Sequence, residues 1–341
     1  MTAQQRILIV GPSWVGDTVI SQSLLKLLVQ QNPAAKIDYL APPWTLPLLT
    51  RMPEVRRGIS NPFGHGALRL GARHAMGKTL RDQCYDQALV LPNSWKSALI
   101  PWSARIPLRT GFHGEARWGL LNDARQLDAV ALPQMVQRFA ALAFPAGTTL
   151  PASLPQPALQ STPAQQQALL ARLGLSTDKP AIAFCPGAEY GPAKRWPEAH
   201  FAALARLLAA RGCVVWLVGS PRDHAVAETI AAASAGACIN LCGKTDIAEA
   251  GDLLAASQLV VTNDSGLMHV AAAVGRPVIA LYGSSSPQFT PPLSHDAHIV
   301  TLDIECSPCF QRECPLGHFK CLNDLSPERV FAVIDFARIG A

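Results

Sequence analysis

Charge is scarce in this chain. Asp, Glu, Lys and Arg make up 16% of its 341 residues, against 49% hydrophobic. That balance excludes a chain held open by self-repulsion and indicates a well-packed globular protein. Long apolar runs are missing as well: no stretch has the length that a membrane-spanning helix needs. The start, "MTAQQRILIVGPSW", has one arginine and then four apolar residues before Gly-Pro. That is too few for the core of a secretory signal. A cytoplasmic protein is therefore expected, with its nine cysteines as thiols or metal ligands rather than a disulfide framework. Two nucleotide-binding signatures are also absent. There is no G-x-G-x-x-G, and "GPSWVGD" places Asp17 where a P-loop requires lysine.

What is present is strand–helix alternation. "RILIV" reads as a strand, "DTVISQSLLKLLVQ" (17–30) as a helix, and "KIDYLAP" and "YDQALVLPNS" as further strands. Residues 144–163, "FPAGTTLPASLPQPALQSTP", hold five prolines and almost no charge, which marks a linker. Beyond it, four apolar strands each end in a small or polar loop before a helix: "AIAFCPGAEYGPAKRWP", "CVVWLVGSPRD", "QLVVTNDSG" and "PVIALYGSSSP". The expected fold is α/β, two doubly wound Rossmann-like domains facing each other across a cleft. The expected boundaries are 1–150, a linker at 151–170, a second domain at 171–325 and a C-terminal helix at 326–341 that packs back on the first domain. Ser326 and Pro327 suit the cap and first position of that helix.

Charge is uneven between the halves. Residues 1–150 hold 16 Lys+Arg against 8 Asp+Glu, a net +8; the remainder holds 13 against 16, a net −3. The first half should attract an acidic partner, although a merely soluble basic surface would show the same bias.

Strand carboxyl ends line the ligand crevice in such folds, and helix N-termini there suit phosphate. The second half places Lys194, Asp223, Asp264, Ser265, Gly266 and His269 at such positions. A cation with several amides and short acids can hold a sugar diphosphate. Taken singly, Asp264 or Ser265 also reads as a helix cap, Gly266 as a tight turn and His269 as a core histidine. Asp17 likewise reads as a helix cap or, at the cleft, as a carboxylate able to take a proton from an attacking hydroxyl.

Together, "GPSWVGD", "LPNSWKSALIP", "RTGFHGEARWGLLND", "CPGAEYGPAKRWP", "VTNDSGLMHVAAA" and "SSPQFTPPLS" resemble the inverting ADP-heptose:lipopolysaccharide heptosyltransferases, a family of GT-B architecture. The resemblance runs from about residue 6 to 293. "PSWVGD" and "AEYGPAKRWP" favour the branch whose acceptor already carries one heptose; another branch with a different acceptor is the alternative. The resemblance implies Asp17 as general base, Lys194 on the donor phosphates and Asp264 on the transferred heptose. It implies Gly266 and His269 beside Asp264, Asp223 on the ribose, and Lys96 and Arg117 facing the acceptor. It also implies ADP-heptose and a phosphorylated lipid A inner-core acceptor as partners, peripheral contact with the inner membrane, no nucleic acid, and no cofactor required for catalysis. A non-catalytic nucleotide-sugar-binding protein and a two-domain epimerase are the readings from other classes.

One region departs from that pattern. Cys306, Cys309, Cys314 and Cys321 follow C-x2-C-x4-C-x6-C. Four such thiols can wrap a structural zinc, form labile disulfides, or stay reduced and tighten a loop, with His318 as a competing ligand.

Overall fold

The computed structural model describes residues 4–64 and 67–339. The chain divides into two compact units, Met1–Pro157 and Ala158–Ala341. The proline-rich stretch is no free tether. In the first unit the Gln156 carbonyl accepts from Lys26 Nζ at 2.7 Å. In the second, Leu159 N–H donates to the Ala273 carbonyl at 2.8 Å, and Ser161 Oγ donates to Asp252 at 2.7 Å. A helix, Pro163–Leu173, starts inside the expected linker. Thr162 and Gln165 form a reciprocal capping box, Pro163 occupies the first turn, and Gly174 closes the end at φ 65°.

The first unit holds six strands: β1 (Arg6–Val10), β2 (Lys36–Ala41), β3 (Val55–Ser60), β4 (Gln87–Val90), β5 (Leu108–Phe112) and β6 (Asp123–Arg125). They form one sheet of order β3-β2-β1-β4-β5-β6, parallel throughout. The second unit repeats the plan with β7 (Ala181–Cys185), β8 (Val214–Leu217), β9 (Cys238–Asn240), β10 (Leu259–Asn263), β11 (Val278–Leu281) and β12 (Ala297–Val300). Its order is β12-β11-β10-β7-β8-β9, again all parallel. Both orders reverse direction at a central pair, β1/β4 and β7/β10, where a doubly wound sheet opens its crevice. β7, β10 and β11 are buried along their whole length, as strands covered by helices on both faces must be.

β3 is held differently. Its arginines reach Asp38 on β2, which is fully buried. Arg56 donates to both Asp38 oxygens at 2.8 and 2.6 Å, and Arg57 and the Tyr85 hydroxyl add further bonds. A buried carboxylate of this kind persists only when paired and fully hydrogen-bonded. The helix expected over 17–30 is two helices, Val15–Ile20 and Gln22–Gln31. At the junction the Ser21 hydroxyl meets the Thr18 carbonyl at 2.7 Å and the Tyr39 hydroxyl at 2.8 Å.

The C-terminal segment belongs to the core of the second unit. Leu322, Leu325, Val330 and Ile334 are buried with Trp196, Phe201 and Leu208, and Trp196 Nε1 donates to the Leu325 carbonyl at 2.8 Å. Ser326 caps the final helix and Pro327 opens it, as expected, but it ends at Ala332. Asp335 then caps a separate short turn, Phe336–Arg338. Among the described residues no helix is long and apolar enough to cross a membrane.

Candidate active site

In the second unit, three strand ends converge. β7 runs into the loop carrying Lys194, β10 ends in Asn263-Asp264-Ser265, and β11 runs into Gly283–Ser286. Lys194 Nζ stands 2.5 Å from Asp264 Oδ2, and Ser285 Oγ donates to the same oxygen at 2.5 Å. Asp264 is only 5% exposed, so the pair sits where water screens it weakly. Both bonds fall on Oδ2, and Oδ1 has no hydrogen-bond partner among the described residues. Ser265 occupies the cap position of the helix Gly266–Ala273 with no side-chain cap bond. Asp264 is thus committed to a lysine and a serine rather than to the helix start.

Asn263 explains why Lys194 arrives at this point. It is fully buried. Its Nδ2 donates to the Pro186 carbonyl at 2.7 Å, and its Oδ1 accepts from Trp196 N–H at 3.0 Å. One amide therefore clamps both ends of the Lys194 loop to β10. Tyr190 lies under the Lys194 ammonium, 5.1 Å from ring centre to nitrogen. Neighbouring Arg195 turns away to the Ala188 carbonyl.

His269 is buried, and its pKa is pushed down to about 4. Burial is the largest cause; Asp264 acts to raise it and Lys194 to lower it. The imidazole is neutral at physiological pH. Asp223 bonds Ser220 through both its N–H and its hydroxyl, at 2.8 and 2.7 Å. It also crowds the β7 loop: a Cβ on Gly187 would lie 2.3 Å from Asp223 Oδ1. Only glycine permits that approach.

In the first unit, Asp17 lies half-buried in the first turn of the helix Val15–Ile20, whose cap position is Trp14. Gly11, at the end of β1, is obligatory, since a Cβ there would stand 2.1 Å from the Tyr39 ring. Lys96 is half-buried near the start of the helix Trp95–Ser103. Arg117 departs from its expected place on the acceptor surface. It is 3% exposed and donates to the Pro92 carbonyl at 2.7 Å, to Asn93 Oδ1 and to the Phe112 carbonyl. Burial draws its pKa below the usual guanidinium range, with Glu115 opposing. It ties the loop after β4 to the end of β5.

Asn263 and Ser285 are the site residues that sequence reading missed. Both lie inside motifs already noticed, "NDSG" and "YGSSSP". Nothing local distinguishes an asparagine that clamps a distant loop from one that ends a strand.

Paired parallel sheets of this order, with a cation and a buried acid at the strand ends of the second, are the build of the GT-B glycosyltransferases. The family model described as glycosyltransferase family 9 (heptosyltransferase) matches residues 73–320, and the chain belongs to that family. It is 50% identical over 334 residues to lipopolysaccharide heptosyltransferase 2 of Salmonella typhimurium strain LT2, covering 95% of this chain and 96% of that one. It is 50% identical to lipooligosaccharide heptosyltransferase 2 of Haemophilus influenzae, over 94% and 96% of the two chains. Among solved structures, that of Escherichia coli ADP-heptose LPS heptosyltransferase II matches with a TM-score of 0.87 at 47% identity, over 96% and 97%.

Proposed function

We propose that this chain transfers a heptosyl group from ADP-heptose to the first heptose of the lipopolysaccharide inner core, with inversion at the anomeric carbon. The observation that carries the reading is the Lys194–Asp264–Ser285 cluster, set in a chain half identical to type 2 heptosyltransferases.

The chemistry is a single displacement. An acceptor hydroxyl oxygen bonds to the anomeric carbon while the carbon–oxygen bond to the diphosphate breaks. ADP leaves with that electron pair, and the hydroxyl proton passes to the Asp17 carboxylate as base. Lys194 and the amides at the helix starts after β7 and β10 offset the charge growing on the departing diphosphate. That countercharge lets transfer proceed without a metal. The Asp264 carboxylate accepts from heptose hydroxyls through Oδ1, while Lys194 and Ser285 hold Oδ2 in place. His269 fills the space behind it as a neutral ring. Asp223 lies against ribose. Lys96 faces the phosphorylated acceptor, and Arg117 supports that surface by fixing the loop after β4. The acceptor is lipid-anchored, and the net +8 of residues 1–150 supports peripheral attraction to an anionic inner-membrane face.

Mass spectrometry decides it. Purified protein with ADP-heptose should add one heptose to a monoheptosylated Kdo2-lipid A acceptor and leave the heptose-free acceptor unchanged. Addition to the heptose-free acceptor alone would move the chain to another branch of the family.

A further inference from the structure

Between β12 and the helix Lys320–Asn323 the chain has no regular strand or helix, yet it holds Cys306, Cys309 and Cys314, with Cys321 just beyond. All four are unpaired thiols and all are half-buried. They differ from Cys185, Cys213 and Cys242, which are fully buried as small core side chains. The four line one cavity of about 20 Å³, together with Ala193, Ser284, His318 and Phe319. Ser284 is 1% exposed, and its hydroxyl has no hydrogen-bond partner among the described residues. A buried orphan hydroxyl is costly unless something in that space accepts from it. Phe319 N–H donates to Cys314 Sγ at 3.4 Å, the kind of bond that favours a thiolate. His318 Nδ1 is already accepting from Lys320 N–H at 3.0 Å, which leaves the sulfurs as the matched donor set.

The same segment straps the donor-site loops. Ser307 Oγ donates to the Gly283 carbonyl at 2.7 Å, and Phe310 N–H to the Ser284 carbonyl at 2.6 Å. On the Lys194 loop, Tyr190 donates to the Phe310 carbonyl at 2.9 Å, and Ala193 N–H to the Arg312 carbonyl at 3.1 Å. A Cβ on Gly191 would stand 2.4 Å from that carbonyl. The strap therefore touches both the Lys194 loop and the Ser285 loop while burying little apolar surface of its own.

We propose that Cys306, Cys309, Cys314 and Cys321 form a tetrathiolate site for one divalent ion of the zinc class, which fastens the strap against the Lys194 and Ser285 loops. Sulfur donors in tetrahedral number select such an ion over magnesium or calcium. Among the described residues no group of three or more His, Cys, Asp or Glu side chains stands ready-made for a metal, so binding draws the thiols inward. A segment without regular structure allows that contraction. The fastening half of the proposal rests on the donor-site reading above; the metal half does not.

The test uses the full chain, purified under reductant. Metal content is measured by mass spectrometry, zinc uptake by titration, and cobalt(II) replaces zinc to report geometry by its visible spectrum. One equivalent per chain, tetrahedral sulfur-ligated cobalt bands, and loss of both in Cys309→Ser and Cys314→Ser support the site. Absence of zinc uptake, or thiols found paired as disulfides, overturns it. The cobalt spectrum of the unsubstituted chain keeps the test valid if a variant fails to fold. ADP affinity by calorimetry should weaken when the metal is stripped. Equal affinity in loaded and stripped protein overturns the fastening, whereas no ADP binding in either form would instead count against the donor-site reading.

Discussion

Asp264 gives one oxygen to both Lys194 and Ser285, and under the proposed function the other accepts from a sugar, which is where a functional role parts from a structural one. Asn at this position still accepts through Oδ1 but carries no charge. Asp264→Asn is expected to lower turnover of ADP-heptose by about 10- to 100-fold, the range of a lost charge-assisted bond. ADP affinity should hold or rise, because a diphosphate no longer competes with a carboxylate for Lys194. Calorimetry with ADP beside steady-state kinetics reads both, and reduced ADP affinity would reassign Asp264 to loop stability alone. Asp17→Asn removes the proposed base and should cut kcat by roughly 10²- to 10⁴-fold with little change in melting temperature. Near-normal kcat would free Asp17 from that role. His269 gives a pH signature. Its pKa is about 4 in the fold against about 6.5 in an unfolded chain. The unfolded state therefore binds the extra proton first. Stability from this group is complete above pH 6.5 and falls as pH drops toward 4, by roughly 3 kcal/mol in all. Denaturant melts at pH 7 and pH 5 should show the loss, and His269→Phe should flatten that part of the profile.

At the scale of elements, the edge strands β3, β6, β9 and β12 lie outside the strands read from sequence, as does β5 beside β6, and for the edges the reason is physical. "VRRGIS" is mostly exposed and is fixed by ion pairs to Asp38 rather than by an apolar run. β9 and β12 have three and four residues, mostly half-buried or exposed. Central strands declare themselves by continuous burial, whereas edge strands are kept short and polar against unwanted pairing. The loop after β7 shows the reverse case: its composition is legible, but its position depends on Asn263. Asn263→Ala would leave the Pro186 carbonyl and the Trp196 N–H unpaired in the interior, at about 1–3 kcal/mol for each such group. The expected result is a clearly lower melting temperature together with weaker ADP binding, since Lys194 loses its anchor. Unchanged ADP affinity in a destabilised variant would show that the loop holds its position by other contacts.

At the scale of the whole molecule, the charge of residues 1–150 should appear in kinetics as salt dependence. Screening shortens the reach of exposed charges to about 8 Å at physiological ionic strength. The apparent acceptor KM should rise with added salt while the ADP-heptose KM moves less. Equal sensitivity would indicate a general effect of salt on the enzyme. The sequence alone determined the alternation of strand and helix, the two-unit plan and the loops that carry Lys194, Asp264 and Asp17, because each follows from local spacing of apolar, small and polar residues. The Ser326–Pro327 helix start was legible for the same reason. Tertiary structure alone decided that Asp264 pairs with Lys194, 70 residues away in sequence, and that Arg117 turns inward. It also decided that the C-terminal segment completes the second core and that four scattered thiols share one cavity. Those outcomes depend on which strand ends are neighbours and on how much water each side chain loses, and neither is encoded in any single stretch of the chain.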